Sequence, residues 1–520
     1  MSRKPRTIVL YNPLPREAAD VQDNFIITPM SLLAVASLLD EHRYRVVIID
    51  ASVDGAYEEK ILREAKCALL VGITMITGHQ IENGLSVLRR LREAGVAVPV
   101  VVGGYHPSIF PSQTAEHPLI DYVCCGQGQR TVLELARVLE GDGEISRVRG
   151  LVYKEAGRVR INPLRPFEDI NNFPDTPYHL LDMEKYIYDN TSSGFGTRTC
   201  AVYTSQGCPW RCGFCAENKV TRHRWSGFSA PRMVNEIESL VRRHGVNSLL
   251  IYDTNFVVDR RRLQDIFSGL LERDIRIPFG FVNARADWIS QCDEAFWKTA
   301  RPFIKDVLIG AEAGDDRILS YIDKGITVED LYRAKRSLAK QDITAGYSFM
   351  IGLPLPRAWR MTPDDEFEAI LKVIAGITAV DKNNNIRMFN YTPYPGTPLF
   401  ERALALGLKA PDTLEGWSGW DNERANVSWL SVRYSRILDQ MNRYILPYLS
   451  RQYDDFWEKR YHGRMRALKR LMHSFFKTMA RWRFDHRCFI FPLEYYFLLA
   501  VRRRKQERLL RSRNPESSHA

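Results

Sequence analysis

Short apolar runs alternate with amphipathic stretches along the first quarter of the chain. The runs are rich in Val, Ile and Leu and cover residues 7–13, 45–52, 68–76, 99–107 and 120–128. Strands that are apolar on both faces and separated by helices are typical of a parallel sheet covered on both sides. The pattern therefore predicts an α/β, doubly wound, Rossmann-like domain over residues 1–145.

The loops after these runs carry the candidate ligand contacts of this domain. Ligands bind doubly wound sheets at the carboxyl ends of the strands, and the sequences there are TMITGHQ, GGYHP and GQGQ. No GxGxxG follows the first run. A dinucleotide is therefore disfavoured.

A second series of strands begins near residue 200, after a connector. Residues 146–195 are rich in Pro, Asn and Asp, which is typical of a linker. Six apolar runs with amphipathic segments between them then start near residues 200, 247, 278, 306, 344 and 385. This predicts a barrel-like, partial (β/α)6 sheet over residues 196–420.

The last part of the chain, residues 421–520, is predicted to be mainly helical, basic and aromatic. The chain has a formal net charge of +11, and residues 459–513 alone carry 17 Lys and Arg against three acidic residues. Basic residues interleaved with Phe, Trp, Tyr and Leu fit a membrane interface, a nucleic-acid surface or a structural cover over the barrel. Aromatic RNA-binding signatures are absent, so nucleic acid is disfavoured.

Cysteine usage and apolar runs restrict the location. Nine cysteines in 520 residues are too few for a disulfide scaffold, and the start of the chain lacks the apolar core of a signal peptide. The longest apolar run, residues 489–501, is interrupted by Glu494 and is shorter than the roughly 20 residues that a spanning helix needs. We expect a cytoplasmic protein, with peripheral contact to the cytoplasmic membrane face as one role of the C-terminal region.

The most specific motif is SQGCPWRCGFC, residues 205–215, with Cys208, Cys212 and Cys215. A structural zinc site needs four ligands, and Cys200 or His223 would have to complete it. A three-thiolate iron–sulfur cluster would instead leave one iron open to substrate or cofactor. Because the loop follows the first barrel strand, where active sites are built, the cluster is favoured.

CxxxCxxC after the first strand of a six-unit barrel, with an aromatic residue before the last cysteine, resembles the radical S-adenosylmethionine (SAM) superfamily. The resemblance implies that the three cysteines hold a 4Fe–4S cluster whose open iron is chelated by the amino and carboxylate groups of SAM. The reduced cluster then cleaves SAM to a 5′-deoxyadenosyl radical. Flavodoxin or ferredoxin is the expected kind of electron donor.

Further residues match this superfamily and imply SAM contacts. In IGAEAG, Glu312 corresponds to the acid that binds the SAM ribose, although it could also cap the next helix. Arg285 could meet the SAM carboxylate or pair with Asp287 on the surface. The SAM-binding residues implied by the resemblance are Phe214, Asp253, Thr254, Asn255, Arg285, Glu312 and Gly352.

The doubly wound domain ahead of the barrel resembles the cobalamin-binding subclass of the superfamily. That subclass carries GGxHP and a GEGE-like turn, which here is Gly126-Gln127-Gly128-Gln129, with both acids replaced by amides. The cobalamin-binding residues that the resemblance implies are Met75, Thr77, Gly103, Gly104, His106, Gly126 and Gln127. The alternative is a domain that has lost the cofactor and keeps only its core and turns.

The environment of cobalt is expected to lack a histidine ligand. The DxHxxG element of methionine-synthase-type domains is absent, as is common in this subclass. His106 is expected to be a loop hydrogen-bonding residue, and His79 could begin a helix. Side chains after the third strand, such as Met75, Ile76 or Thr77, would cover the lower face of cobalt.

Together these features predict a cobalamin-dependent radical SAM methyltransferase acting on an unactivated carbon. The resemblance implies that one SAM methylates cobalamin and a second yields the radical that removes a hydrogen from the substrate. The apolar, basic tail favours a small hydrophobic substrate: an isoprenoid, lipid or tetrapyrrole. The alternatives are an oxidation resembling the anaerobic magnesium-protoporphyrin ester cyclase and, remotely, a zinc-stabilised nucleic-acid-binding module.

Overall fold

The computed structural model describes residues 5–15, 26–42, 44–420, 427–451, 454, 458 and 466–501. Within these ranges the chain forms an N-terminal α/β domain, a second curved parallel sheet and a helical C-terminal region, as the sequence predicts. No helix in the described part is both long enough and apolar enough to cross a bilayer.

Seven strands form the N-terminal sheet in the spatial order β2-β1-β3-β4-β5-β6-β7. The first five strands pair in parallel and coincide with the five apolar runs. The strands are β1 (Thr7–Asn12), β2 (Arg45–Asp50), β3 (Ala68–Thr74), β4 (Val100–Gly103), β5 (Tyr122–Cys124), β6 (Leu151–Glu155) and β7 (Arg158–Ile161).

The last two strands correct the predicted boundary at residue 145. β6 pairs antiparallel with β5, and β7 pairs antiparallel with β6, so this hairpin belongs to the first sheet and not to a linker. The hairpin was missed because its strands are half exposed: β7 reads RVRI, and none of its residues is buried. The irregular connector begins only after residue 161.

In the part of this domain that the structure describes, six helices cover the two faces of the sheet. Leu33, Leu39 and Leu135 on one face are fully buried against β1 and β3. The helices are α1 (Met30–Glu41), α2 (Tyr57–Ala65), α3 (His79–Glu93), α4 (Tyr105–Ile109), α5 (Pro111–Glu116) and α6 (Gly128–Leu139). The core on the opposite face continues without interruption into the second sheet, so the two domains pack as one body.

The second sheet contains the six predicted strands, and all its pairs are parallel. The third strand is divided at Phe281, whose φ of +59° breaks the pairing. Among the described residues no ladder joins the first strand to the last, so the sheet is an open barrel. The strands are β8 (Thr199–Val202), β11 (Ser248–Ile251), β12 (Phe279–Gly280) with β13 (Val282–Ala284), β14 (Asp306–Glu312), β15 (Thr344–Ile351) and β16 (Asn384–Asn390).

A small antiparallel pair lies at the carboxyl end of β8: β9 (Ser205–Gly207) pairs with β10 (Trp225–Gly227). Helices separate the barrel strands, and their ends carry ordinary caps, such as the capping box of Thr327 and Asp330. These helices are α7 (Glu217–Thr221), α8 (Ala230–His244), α9 (Arg260–Glu272), α10 (Ala286–Ser290), α11 (Glu294–Ala300), α12 (Asp316–Tyr321), α13 (Val328–Lys340), α14 (Pro363–Val380) and α15 (Pro398–Ala405).

The described C-terminal residues are helical, as predicted. A π-helical turn, Met441–Ile445, joins the helix that ends at Gln440 to the helix that begins at Leu446. Residues 493–501 form a further helical stretch. The helices are α16 (Val432–Gln440), α17 (Leu446–Leu449) and α18 (Arg466–Asp485). The basic stretch 502–513 lies outside the described residues.

Candidate active site between the two sheets

The cysteine loop, residues 208–216, follows β9 and precedes α7. Gly213 fixes its middle: its N–H donates to the Ile322 carbonyl (2.7 Å), and its carbonyl accepts from the Leu399 N–H (3.0 Å). Asn218 Nδ2 donates to the Cys212 carbonyl (3.1 Å). The loop is therefore held at the carboxyl end of the barrel by the segments that follow β14 and β16.

The three thiols of this loop are free and mostly buried. Burial raises the pKa of Cys208 and Cys212, opposed at both thiols by the Lys324 ammonium, and raises that of Cys215 to about 12. In the described part, no three His, Cys, Asp or Glu side chains are grouped to hold a single metal ion. The thiolates of a four-iron cluster each bind a different iron, so they need not converge on one metal ion.

A buried ion pair lies beside the cysteine loop. Lys324 Nζ is 2.8 Å from Glu312 Oε1, and both side chains are about 10% exposed. The ammonium also lies 5.6 Å from the centre of the Phe214 ring. A Cβ added at Gly310 would lie 2.2 Å from Glu312 Oε1 and 2.7 Å from Lys324 Nζ, so only glycine at 310 leaves room for the pair. Glu312 is the last residue of β14 and does not cap the next helix, because Asp315 caps α12 by accepting from the Arg317 N–H.

Arg285 is buried and holds the tip of the cysteine loop. Its guanidinium stacks 3.9 Å above the Trp210 ring and donates to the carbonyls of Lys324 (2.6 Å) and Gly325 (2.8 Å). It also forms a two-pronged ion pair with Asp287 at 3.0 and 3.1 Å. This pairing occurs in the interior, not on the surface. These hydrogen bonds use four of the five guanidinium N–H groups, so contact with a SAM carboxylate would not require any of them to be replaced.

Asp253, Thr254 and Asn255 follow β11 and have different surroundings. The Asp253 carboxylate is buried and accepts three hydrogen bonds of 2.6 Å, from the N–H and hydroxyl of Thr204 and the hydroxyl of Ser205. Asn255 is also buried and accepts from the Val257 N–H (3.3 Å). Only Thr254 of the three lines the cavity between the domains. Asp253 thus joins the ends of the first two barrel strands.

Gly352, at the end of β15, has a φ of +86° and is covered by the C-terminal region. Its N–H donates to Glu366 Oε2 (2.9 Å), and its carbonyl accepts from the Trp429 indole N–H (3.0 Å). A Cβ at this position would lie 2.9 Å from Leu430 Cδ2. The turn at Gly352, which the resemblance implies contacts SAM, is therefore shaped by residues 429–430.

Glu366 gives this turn a predicted pH dependence. Burial raises the pKa of Glu366 to about 7, opposed by hydrogen bonds from the backbone of Gly352 and Leu353. A carboxyl whose folded pKa exceeds its ordinary 4.5 stabilises the fold below pH 4.5, and that stability is lost as the pH rises through 7. Denaturant unfolding measures this. As the pH rises from 5 to 8, the free energy of unfolding of Glu366→Gln should increase by about 2–3 kcal/mol relative to that of the unsubstituted chain. A difference that stays constant with pH would contradict this.

A cavity of about 290 Å³ lies between the two domains. One wall is formed by the glycine turns after β4 and β5, and the other by β9, α7 and the end of β11. Its polar and glycine positions are Ser31, Gly72, Thr74, Gly103, Gly104, Tyr105, Gly126, Gln127, Gly128, Gln129, Tyr203, Ser205, Gln206, Gly207, Glu217, Thr221, Tyr252 and Thr254. Among the described lining residues, Glu217 is the only acid and there is no Lys, Arg or His.

Glu217 connects the two walls, and the sequence prediction did not include it. It is buried and accepts hydrogen bonds from the Tyr105 hydroxyl and from Thr254 Oγ1 (3.1 Å). Tyr105 was also missed, although it lies inside the GGYHP motif. Only their positions in the sequence could have indicated a role: Tyr105 lies within the GGYHP turn, and Glu217 lies two residues after Cys215.

Comparison with known proteins agrees with this two-part geometry. A B12 binding domain family matches residues 21–136, and the Radical SAM superfamily matches residues 202–374. An uncharacterized methyltransferase of Pyrococcus horikoshii is 30% identical over 385 residues, which cover 73% of this chain and 79% of that protein. The chain belongs to the cobalamin-binding subclass of the radical SAM superfamily.

Two further proteins resemble this radical SAM enzyme. The anaerobic magnesium-protoporphyrin IX monomethyl ester cyclase of Rubrivivax gelatinosus is 27% identical over 367 residues, or 68% of this chain and 62% of that protein. The solved structure of the cobalamin-dependent SAM radical enzyme OxsB, with aqua-cobalamin and SAM bound, has a TM-score of 0.70 at 17% identity and covers 97% of this chain and 76% of that one. The latter likeness concerns the fold.

The cofactors of the enzyme are a 4Fe–4S cluster, SAM and cobalamin, and the residues present fit them. Three thiols stand in one loop whose backbone is fixed, and the cations of Lys324 and Arg285 lie close enough to Cys212 to offset thiolate charge. Since free thiols in this loop are protonated at neutral pH, cluster assembly must release protons.

The glycine turns of the first domain fit cobalamin. Gly103, Gly104, Gly126 and Gln127 line the cavity, and Gly104 (φ +106°) and Gly126 (φ +75°) adopt conformations that favour glycine. The space in front of Gly126 is open: no heavy atom lies within 4 Å of an added Cβ. These four predicted positions can therefore present backbone to a bound cofactor.

The other three predicted cobalamin residues do not line this cavity. Met75 is fully buried, and its Cε packs toward Gly84 in the sheet-helix core. His106 Nδ1 and Thr77 Oγ1 are 3.0 Å apart in a hydrogen bond, and the His106 ring packs against Phe110 and Trp417. Burial lowers the pKa of His106 to about 4. His106 is thus a loop hydrogen-bonding residue, and the predicted lower-face role of Met75 and Thr77 is not supported by their placement.

Gln127, which replaces an acid of the GEGE-like turn, bridges the domains. Its Nε2 donates to the Glu168 carbonyl and to Gln206 Oε1, both at 3.1 Å, and its Oε1 accepts from the Glu168 N–H (2.7 Å). Gln206 precedes Cys208 by two residues. The amide thus ties the glycine turn to the strand that enters the cysteine loop, and this use of a donor explains why an amide stands here.

Restoring the acid with Gln127→Glu should destabilise the enzyme. A carboxylate cannot donate, so it would face two acceptor oxygens, and we expect a loss of about 1–3 kcal/mol in the free energy of unfolding. Denaturant unfolding of Gln127→Glu, Gln206→Ala and the double variant measures it. The loss should be smaller in the Gln206→Ala background, because one of the opposing oxygens is gone. Equal losses in both backgrounds would show that Gln206 is not the partner that matters.

Proposed function

We propose that this enzyme transfers a methyl group from SAM, by way of cobalamin, to an unactivated carbon of a small hydrophobic substrate such as an isoprenoid, lipid or tetrapyrrole. The observation that carries the proposal is the shared cavity. The cobalamin-type glycine turns and the segments on either side of the cysteine loop face the same space. The cluster with SAM supplies hydrogen-atom abstraction, and cobalamin supplies the methyl group.

The chain's own residues position these groups and exclude water. Arg285 and the Gly213 hydrogen bonds fix the cysteine loop, the Glu312–Lys324 pair occupies the carboxyl end of β14, and Gln127 and Glu217 hold the two walls in register. Fixed geometry of this kind shortens the path of a reactive intermediate to its target and limits side reactions.

A cavity wall without Lys or Arg among the described lining residues supports a hydrophobic substrate. Anionic groups such as phosphate are normally bound by Arg or Lys, and the described lining residues include neither. Apolar side chains contribute much of the wall: Leu10, Leu32, Val35, Val101, Val132, Phe167 and Val220. Uncharged, apolar molecules therefore suit the cavity better than phosphorylated ones.

Methyl transfer is favoured over oxidative ring formation by one observation. The Pyrococcus horikoshii relative, whose name describes a methyltransferase, is matched over 79% of its length, against 62% for the cyclase. The match to the radical SAM family across the cysteine loop leaves the zinc-module alternative without support.

Methyl-labelled SAM tests the proposal. The enzyme, reconstituted with iron, sulfide and cobalamin without oxygen and reduced by flavodoxin or ferredoxin, is incubated with apolar substrates and labelled SAM. Label in the product together with 5′-deoxyadenosine is the expected result. Deoxyadenosine with an oxidised, unlabelled product would overturn methylation in favour of cyclase-like chemistry. Label transfer only to phosphorylated substrates would overturn the hydrophobic class. A variant in which Cys208, Cys212 and Cys215 are all replaced by alanine serves as the inactive control.

A further inference from the structure

The C-terminal residues 466–501 concentrate exposed apolar side chains. Of the 21 large apolar side chains that are exposed in the described part of the chain, 11 lie in this stretch. Single exposed apolar residues are ordinary, but clusters mark interaction surfaces. The clustered side chains, here named the docking face, are Leu468, Leu471, Met472, Phe475, Trp482, Ile490, Phe491, Leu493, Tyr496, Phe497 and Val501.

The docking face begins as one stripe along α18. Leu468, Leu471, Phe475 and Trp482 recur at intervals of three, four and seven residues, so they share a side of the helix. Their exposed fractions are 45%, 69%, 54% and 44%. The apolar residues of α18 thus do not all serve the interior.

A different side of α18 is anchored in the fold. Phe476, Ala480 and Phe484 are at most 5% exposed, and the Phe476 carbonyl accepts from the Tyr444 hydroxyl (3.0 Å). Because the helix is packed on this side, its exposed stripe is a fixed surface feature. The stripe is not the inward face of a helix that has failed to pack.

The helical stretch 493–501 extends the docking face. The Phe497 ring stacks on Phe476, with centres 6.2 Å apart and planes at 16°, and Glu494 pairs with the buried guanidinium of Arg483. Phe491, just before this stretch, and Leu493 are the most exposed side chains of the docking face, at 83% and 75%. The two helices therefore form one packed unit with apolar groups left outside.

The composition of the segment that carries the docking face suits anionic lipid. In the sequence, residues 459–513 carry 17 Lys and Arg against three acidic residues, and many of these basic residues lie outside the described part. Within the described part, Lys469 and Arg481 are exposed on α18, and Arg481 pairs with Asp485 (3.7 Å). Apolar and aromatic groups bordered by basic ones are the features of helices that lie in a bilayer interface, where each basic residue contributes about 1 kcal/mol with anionic headgroups.

We propose that the docking face seats the enzyme on an anionic lipid bilayer. Its aromatic and aliphatic side chains enter the interface, and the basic residues contact the headgroups. The proposal concerns where the enzyme works and stands independently of the methyl transfer proposed above. It would bring the enzyme to membrane-dissolved substrates.

Flotation of the full-length enzyme with lipid vesicles tests this. The probes are vesicles of phosphatidylcholine alone and of phosphatidylcholine mixed equally with phosphatidylglycerol. We expect the enzyme to float with the anionic vesicles, less at high salt, and to remain behind with the neutral ones. Leu471→Glu combined with Phe491→Glu should reduce the bound fraction about tenfold or more, because each change removes an apolar group from the interface.

Val432→Glu is the matched control. Val432 is 66% exposed against 69% for Leu471, and it begins α16, outside the docking face. It should leave flotation unchanged, and all variants should keep the iron and cobalamin content of the parent. Absence of flotation with anionic vesicles, or flotation unaffected by the docking-face variants, would overturn the proposal. A concentration-dependent dimer that Leu471→Glu dissociates would show instead that the face joins two copies.

Discussion

Replacing Cys208, Cys212 and Cys215 together by alanine is expected to remove the iron–sulfur cluster and abolish 5′-deoxyadenosine formation, while cobalamin binding persists. The three thiols are the cluster ligands that the loop offers, and the loop backbone is held by Gly213 through bonds that do not involve them. Iron and sulfide analysis with an ultraviolet–visible spectrum of anaerobically prepared enzyme should show about four of each per chain, lost in the variant.

Cys200→Ala is the matched control for this experiment. Cys200 is a free, fully buried thiol in β8, on the strand that leads toward the cysteine loop. It should lower stability without lowering the iron content, because its side chain is in the core. Zinc in place of iron, or an equal loss of metal from Cys200→Ala, would contradict the three-cysteine cluster. Retained cobalamin in the triple variant shows that the fold survives.

The parallel sheets could be predicted because their signal is local. A strand buried on both faces needs a run of apolar residues, and every such run of the first domain became one of β1 to β5. The hairpin β6–β7 gives a weaker signal, since only the first three residues of β6 are apolar and buried, and β7 is an exposed edge strand. Its membership in the first sheet depends on pairing with β5, which a one-dimensional pattern does not reveal.

The site was predictable where its chemistry is contained in one short segment. Cys208, Cys212 and Cys215 need only their own spacing. Arg285 depends on Trp210, which lies far away in sequence and occupies its guanidinium face.

The direction of a loop side chain is equally hard to predict. Thr74 is the last residue of β3, and Met75 and Thr77 follow it, but of the three only Thr74 lines the cavity. Tyr105 and Glu217 were not predicted, although both line the cavity. Their importance lies in a contact between domains, and neither residue type is unusual for its local sequence.

Gly126→Phe is expected to weaken cobalamin binding by about 10- to 100-fold, equivalent to about 1–3 kcal/mol of overpacking. Gly126 lines the cavity, and the space beyond an added Cβ is open, so the new ring would project into room that we assign to the cofactor. Cobalamin titration of the reconstituted enzyme, followed by equilibrium dialysis, measures the change. The iron content should stay at the parent level, because no residue of the cysteine loop lines this cavity.

Gly157→Phe separates blocked space from backbone strain. Gly157 has a φ of +76° against +75° for Gly126, and it too has no heavy atom within 4 Å of an added Cβ. Both variants therefore pay the same cost of about 1–2 kcal/mol for a side chain in the left-handed region, but Gly157 lies in the β6–β7 turn, outside the cavity. If both lose cobalamin equally, the loss reflects folding. If neither loses it, the cofactor is held elsewhere than the cavity between the glycine turns and the segments that flank the cysteine loop. A loss confined to Gly126→Phe places cobalamin in the space that Gly207 and Glu217, on either side of the cysteine loop, also line, which is the arrangement that methyl transfer to a substrate radical requires.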